Sequence, residues 1–501
     1  MADYDVIVVG AGNAALSAAV SARVSGASRV LVLEKAPEDR RGGNTHFSGG
    51  LLRYTFEDKE QAIALIPDVE KNYPEYRDGI DPYPAKAFRE DIMKVTGGRS
   101  DPQLSDILIN QSYPTVRWMQ QMGIAMEPAR SSGGEWAADE SAIEGVRRGK
   151  GVRWQPGCVI RAVGQGKGLS KAWFASAEQK GVEVRYDACA LRLTQAESGK
   201  VNGVIVREQD GIKALTAKAV VLGSGGFEAN TEWRVRYLGG HWGAAKVRGC
   251  AFNHGDGLRM ALELGALPFG DWRGCHATPI SQDAPAYADP FMTDKTNRLS
   301  YVYGVMLNLE GKRFLDEGYD VHPMTYALYG GLILGQPEGQ AYQIFDAKVV
   351  HLLEGRYATE QPVSGDTLQS LFDKIRINKE QALKTIREYN EAAGHGTFVP
   401  TKLDGMHTQG LTPPKTNWAQ RLDKGPYVAY PVTGGITFTF GGLKINEHAQ
   451  VIANHWKPLP GLFCCGEAVG GIFHGNYPAG TGLMAGAVFG RIAGASAAKV
   501  S

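Results

Sequence analysis

The chain has 501 residues, 43% of them hydrophobic and 21% charged, with a formal net charge of +1. That length exceeds what one hydrophobic core organises, so two or three domains are expected. A near-neutral balance excludes a general basic surface for nucleic acid or anionic membrane, though not a local positive pocket for an acidic substrate.

Tyr4 to Val9 (YDVIVV) reads as an apolar strand, Gly10 to Gly12 as a turn, the Ala-rich stretch Asn13 to Ser25 as a helix, and Arg29 to Leu33 as a second strand. Together they make a β-turn-α-β unit. Pro67 to Pro84 is rich in Pro and Tyr and reads as an excursion. Pro102 to Met122 has helical apolar spacing (Leu104, Ile107, Leu108, Val116, Met119). A helix is expected over Ser170 to Lys180, then strands at Val182–Tyr186, Ala190–Leu193, Gly203–Val206 and Ala219–Leu222, the last entering the Gly-rich turn Gly223 to Gly226. Between about Gly270 and Val432 aromatics, Pro and His rise, with one clear helix at Gln381 to Ala393; beyond Thr433 the Gly-rich texture returns and ends in a helix, Gly482 to Lys499. The expected division is 1–268 and 433–501 as two parts of one α/β domain, with 269–432 inserted as an α+β substrate-facing domain.

The N-terminus shows no basic segment followed by an apolar one, so no signal peptide is expected, and no transmembrane segment, because no sufficiently long apolar run occurs. Six cysteines form no CxxC, CxxCH or ferredoxin-type pattern, which reads as reduced thiols in a cytoplasmic protein without haem, iron–sulfur cluster or other metal site.

Gly10-Ala11-Gly12-Asn13-Ala14-Ala15 fits GxGxx(G/A) between a strand and a helix. Gly10 permits the turn, Gly12 lets a pyrophosphate approach the backbone, and Ala15 lets helix and strand pack closely. The pyrophosphate would rest on the N–H groups of the helix N-terminus. Glu34, ending the second strand, is placed to accept from ribose hydroxyls, which argues against a 2′-phosphate. Three further segments bear on which dinucleotide binds: Gly42-Gly43-Asn44-Thr45 with Ser48-Gly49-Gly50; His254-Gly255-Asp256-Gly257 leading into a helix; and Gly466-Glu467, followed by Asn476 to Leu483 and the final helix.

These segments, in this order and over nearly the whole chain, resemble the flavoprotein subunits of the fumarate reductase and succinate dehydrogenase family. The phrases Arg41 to Thr45, Gly274-Cys275-His276, Gly311 to Glu317, Gly434 to Gly442 and Asn476 to Gly482 look most like its FAD-dependent tricarballylate dehydrogenase branch. The resemblance implies a Rossmann-like FAD-binding domain with an inserted capping domain. It places FAD contacts on Gly10, Gly12, Ala15, Glu34, Gly43, Asn44, Thr45, Gly49, Gly50, Asp256, Glu467, Gly482 and Leu483, to which the adjacent Asn13, Ala14, Lys35, Gly42, Ser48, Gly225 and Thr481 are added. The H-T-x-A-A-Q-G-G phrase of covalently flavinylated members is absent and His46 is offset from its histidine, so noncovalent FAD is expected.

On the substrate side the resemblance gives His276 the role of holding a carboxylate or carbonyl. His322 falls where the tricarballylate branch has a proton-transferring Arg; it removes a permanent positive charge and installs a base suited to neutral pH. Tyr326 is a second candidate for the proton. Tyr477 stands where fumarate reductases have an Arg and ketosteroid dehydrogenases a carbonyl-polarising Tyr. Arg298 and Arg313 are cations of the same region, Arg313 being expected to pair with Glu317 or Asp316. The expected activity is a dehydrogenation introducing a double bond α,β to a carboxylate or carbonyl of a small substrate, with a quinone, O2 or a partner redox protein as electron acceptor. An ene-reductase, a ketosteroid-type desaturase and an electron-transfer flavoprotein subunit are the alternatives.

Overall fold

The computed structural model describes residues 2–74, 76–129 and 157–501. Its first layer is a largely parallel sheet. Strand β1 (Tyr4–Val9) lies between β2 (Val30–Leu33) and the end of a long strand β4 (Gly211–Leu222); β3 (Glu183–Arg185) flanks β2, and Pro458–Cys464 flanks β4. Val6 pairs with Val30 on one side and Ala219 on the other, all in parallel register. The last four residues of β1 and all of β2 are buried, the continuous apolar pattern of a sheet covered on both faces. The start of β4 leaves this sheet for an antiparallel meander with Val201–Glu208 and Cys189–Gln195.

Helix α1 (Asn13–Val24) packs along the terminal helix. The two approach closely because the facing residues are small: a Cβ on Gly490 would sit 2.9 Å from Ser17 Cβ. Helix α2 (Asp256–Glu263) follows the His254-Gly255 turn.

The second layer is a six-stranded sheet built on two long antiparallel strands, β5 (Pro268–Ser281) and β6 (Tyr427–Leu443). Helix α3 (His322–Leu334) begins with Pro323 in its first turn, where proline's missing N–H is not needed, and lies against β5 and β6. Residue 433, where the second expected boundary fell, lies inside β6, and the first boundary falls at the opening residue of β5. The two long strands thus run unbroken across both expected boundaries. Helix α4 (Thr481–Ala497) closes the chain. The helix expected at Ser170–Lys180 begins earlier, at Gln165.

Candidate functional site

The C-terminal ends of β1, β2, β4 and Pro458–Cys464 share one edge of the sheet, and an elongated cavity opens there. Two helix N-termini face it. α1 is capped by Gly12 and α4 by Gly480, neither with a side-chain cap, which leaves first-turn N–H groups for a ligand. Gly10 makes the sharp entry with φ +99°; a Cβ there would lie 2.9 Å from Ser224 Cα, at the turn that ends β4.

Of the cofactor residues read from the sequence, Gly10, Gly12, Asn13, Ala14, Glu34, Lys35, Gly43, Asn44, Thr45, Ser48, Gly225, Asp256, Glu467, Gly482 and Leu483 line this cavity. Glu34 is buried at the end of β2 and accepts the Ala36 N–H at 2.8 Å; burial raises its pKa, and backbone N–H groups oppose that. Lys35 pairs with Asp256 at 2.7 Å, joining the ends of β2 and α2.

Several of the expected contacts are braces. Thr45 Oγ1 accepts the Asn13 N–H at 2.8 Å, and Asn13 Nδ2 reaches the Leu483 carbonyl at 2.8 Å, tying α1 to α4. Five residues expected at the cofactor stand off the cavity wall. Ala15 packs against Gly223, where a Cβ would come within 2.8 Å of its own. Gly42 (φ +101°) turns the chain against Ser170, Gly50 faces Gln165, and Gly49 lies near Asp294. Thr481 is fully buried at the start of α4. These positions shape the cavity from behind because their small size brings backbones together.

At one end of the cavity, Phe438 and Tyr477 form the wall, and behind them lie His276 and Tyr326. His276 sits at an irregularity in the β5–β6 register, opposite Phe438, where the shift re-aims its side chain. Its ring lies edge-on to Tyr326 (4.8 Å) and Tyr477 (4.9 Å). It is fully buried, with neither ring nitrogen meeting a hydrogen-bond partner among the described residues, and its pKa is held well below the usual histidine range by burial and then by the Arg248 cation. Tyr326 and Tyr477 place their hydroxyls in contact. Burial raises both, Tyr477 to about 12, so both are protonated donors at neutral pH. The 476–480 loop is fastened to α3: the Ala479 N–H donates to the Pro323 carbonyl at 3.0 Å and Asn476 Nδ2 to the Met324 carbonyl at 2.8 Å.

His322 is not in this cluster. It opens α3 one turn before Tyr326, half-buried, and its pKa is pushed down to about 3 by burial and then by the Arg356 cation. An imidazole there is neutral at physiological pH but a far weaker base than the ordinary histidine the sequence suggested. Arg298 is committed to Glu360 at 2.8 Å, and Arg313 forms a buried pair with Glu317.

Two candidate site residues escaped the sequence reading. Arg248, nearly buried, lines the cavity beside Phe438 and Tyr477; its Nε reaches Thr437 Oγ1 at 2.9 Å and its Nη1 the Phe47 carbonyl at 3.3 Å, neither a carboxylate. Glu228, fully buried, accepts from Asn44 Nδ2 at 2.6 Å. The only signal for either was a charged residue beside a glycine turn, which does not separate a buried charge from a solvated one.

The uncapped α1 and α4 termini and the cavity-lining carboxylate of Glu34 fit FAD. The profile of the FAD binding domain family matches residues 5–483. A probable fumarate reductase of Shewanella frigidimarina is 29% identical over 499 residues, covering 99% of this chain and 74% of that protein. A 4-oxocyclohex-2-ene-1-carboxylate 5-dehydrogenase of Sinomonas cyclohexanicum is 25% identical over 582 residues, covering 99% and 94%. Among solved structures, a flavocytochrome c3 fumarate reductase in its open conformation superimposes with a TM-score of 0.69 at 27% identity, covering 99% of this chain and 78% of that one. No helix of the described residues is long and apolar enough to cross a membrane. The chain belongs to the FAD-binding flavoprotein family that contains the fumarate reductases, and it is an FAD-dependent oxidoreductase.

Proposed function

We propose that the protein transfers a hydride between noncovalently held FAD and a carbon–carbon bond α,β to the carbonyl or carboxylate of a small substrate. FAD, when bound, supplies the hydride acceptor or donor. The observation that carries the reading is the Tyr326–Tyr477 hydroxyl contact against the buried neutral His276. The protonated Tyr477 phenol and the uncharged imidazole form a donor set for an oxygen that gains negative charge as the α-carbon loses or awaits its proton, with the Tyr326 hydroxyl beside them for that proton. Arg248 adds a cation at the same end of the cavity. His46 supports noncovalent attachment: its Nε2 is engaged with the Pro290 carbonyl at 3.1 Å, and it stands off the cavity wall.

Tyr477 and His276 hold the activating oxygen in this reading, and Tyr326 handles the α-proton. Surroundings favour Tyr326 over His322: Tyr326 touches the cluster, whereas His322 faces the Arg356 side with a depressed pKa. Arg298 and Arg313 are already paired, so a ketone or monocarboxylate suits the site better than a tricarballylate-like polyanion. The domain division is proposed as before, 1–268 with 433–501 for FAD and 269–432 as the substrate cap.

The direction we propose is dehydrogenation, electrons leaving to a quinone, O2 or a partner redox protein. Reduction is the second reading, favoured by the fumarate reductase relative and by phenols poised as proton donors. The test is anaerobic: saturated cyclic ketones, monocarboxylates and tricarballylate are added to the oxidised holoprotein, and fumarate, acrylate and enones to the dithionite-reduced form. Bleaching of the flavin by a saturated ketone or acid supports dehydrogenation; reoxidation by the unsaturated set alone assigns reduction. Inertness to both sets overturns the proposal.

A further inference from the structure

β4 and Pro458–Cys464 are parallel neighbours, so the turns that follow them lie side by side. Those turns carry Glu228 and Glu467. Glu228 is fully buried. Its Oε1 accepts two amide donors, Asn44 Nδ2 at 2.6 Å and Asn253 Nδ2 at 2.5 Å, while its buried Oε2 receives no N–H or hydroxyl from any other described side chain. Glu467 lines the flavin cavity, and its Oε1 accepts the Thr439 N–H at 2.7 Å. The Glu467 carboxyl lies against Gly226, two residues before Glu228: a Cβ there would come within 2.8 Å of the Glu467 carboxyl carbon, which makes the two carboxyls neighbours.

The charged and titratable groups around them are few. Arg234 donates Nη1 to the Glu228 main-chain carbonyl at 2.6 Å rather than to its carboxylate. The Cys250 and Cys275 thiols face the pair from the loop before α2 and from β5, and burial keeps both protonated. Neither carboxylate has a basic side chain in salt-bridge contact among the described residues. Two adjacent anions in such a place repel and lack solvation, so one of them takes a proton. Two amide donors favour the anion on Glu228. Burial and then the neighbouring Glu228 charge raise Glu467 well above the ordinary carboxyl range.

We propose that the pair holds a single proton, carried on Glu467 and donated to Glu228 Oε2, so that Glu467 meets FAD as a neutral acid and FAD binding is linked to keeping that proton. Glu228 is then a positioning residue acting through Glu467. The inference rests on FAD binding alone and is independent of substrate and direction. Loss of the proton at high pH leaves two facing carboxylates, adds a negative charge to the wall of the cavity and loosens the cofactor.

The test is titration of apoprotein with FAD, followed by flavin fluorescence, from acid to alkaline pH in the wild type and in Glu467→Gln. The glutamine amide donates to Glu228 Oε2 as the acid would and has no proton to lose. The wild type is expected to lose affinity above the pair's upper titration step by as much as about tenfold per pH unit, the limit for one linked proton, whereas Glu467→Gln stays flat through that range. A uniform loss of affinity in Glu467→Gln at every pH would mean that Glu467 binds FAD as an anion, and matching pH profiles would mean that no proton on it is linked; either overturns the proposal. Should Glu467→Gln fail to fold, infrared spectra of wild type at neutral pH decide. The carbonyl stretch of a protonated carboxylic acid, sensitive to D2O and lost in Glu228→Gln as Glu467 ionises, is expected, and its absence from the wild type overturns the inference.

Discussion

The two ends of the cavity are built on opposite principles. The nucleotide end is made of main chain: glycine turns after β1 and β4, uncapped N-termini of α1 and α4, and small residues that let them meet. The cage end is made of side chains, His276 from β5, Tyr326 from α3, Phe438 from β6 and Tyr477 from the loop before α4, collected from segments remote in sequence. The first end recognises what is common to all FAD, charge and hydroxyls. In the proposed reading the second sets which oxygen is polarised and where a proton moves.

The largest separation of the two ends is expected from Tyr326→Phe. Removing a positioned acid–base group lowers flavin reduction by roughly 100- to 10,000-fold, yet the holoprotein should purify with its flavin bound and its visible spectrum intact. Stopped-flow bleaching beside a flavin count on the same sample checks both halves. A comparable loss in His322→Ala with Tyr326→Phe near wild type would hand the proton to His322.

Glu34→Ala is the converse lesion. The ribose hydroxyls lose a charged acceptor, a hydrogen bond contributing roughly 1.5–3 kcal/mol, so FAD affinity should fall by about 10- to 150-fold. Bleaching rate at saturating FAD should hold. Unchanged affinity on titration of the apoprotein would show that Glu34 serves only to cap the Ala36 N–H.

This contrast also explains what the sequence disclosed. The apolar run of β1, the glycines after it and Glu34 are contiguous, because main-chain recognition is local and leaves a local pattern. β5 and β6 went unread as strands. Both carry Pro and Gly, β6 as TGGITFTFGG, and β6 is buried along most of its length, so the alternation that marks a half-exposed strand is missing. Helix α3 was hidden by Pro323 and by Gly330 and Gly331; Gly330 has no side chain because β5 passes directly beneath it, at Ala277 and Thr278. The residue types His276, Tyr326 and Tyr477 were legible through family resemblance, but their mutual contact and the exclusion of His322 depend on a register shift and a helix start that periodicity does not encode.

Arg248→Met tests whether the cage end prefers charge or shape. Arg248 lies beside Tyr477 with no carboxylate partner among the described residues, so its removal should reduce the preference for a carboxylate over an uncharged ketone by about tenfold, the scale of one charged hydrogen bond. Competition for flavin perturbation between paired acid and ketone ligands measures it. An unchanged ratio assigns Arg248 to bracing Thr437 and Phe47.

Within any one pH unit the pH dependence of flavin reduction changes the rate by at most about tenfold, and its shape separates the two proton candidates. Burial raises Tyr326 and Tyr477, so at neutral pH both hydroxyls are protonated, and the fraction able to accept a proton grows with each unit of pH until their raised pKa values are reached. A dehydrogenation using Tyr326 as base should therefore rise continuously from about pH 6 to 9. His322, with its pKa near 3, is deprotonated throughout that interval and would give a flat rate that falls only in strong acid. Reduction of an unsaturated substrate reverses the argument: Tyr326 as acid is fully protonated from pH 6 to 9 and gives the flat profile, whereas His322 as acid would lose about tenfold per unit there. Measuring both half-reactions on one preparation yields a crossed pattern for tyrosine, rising in oxidation and flat in reduction. The opposite crossing would move the proton to the start of α3 and leave the Tyr326–Tyr477 contact as a carbonyl clamp alone.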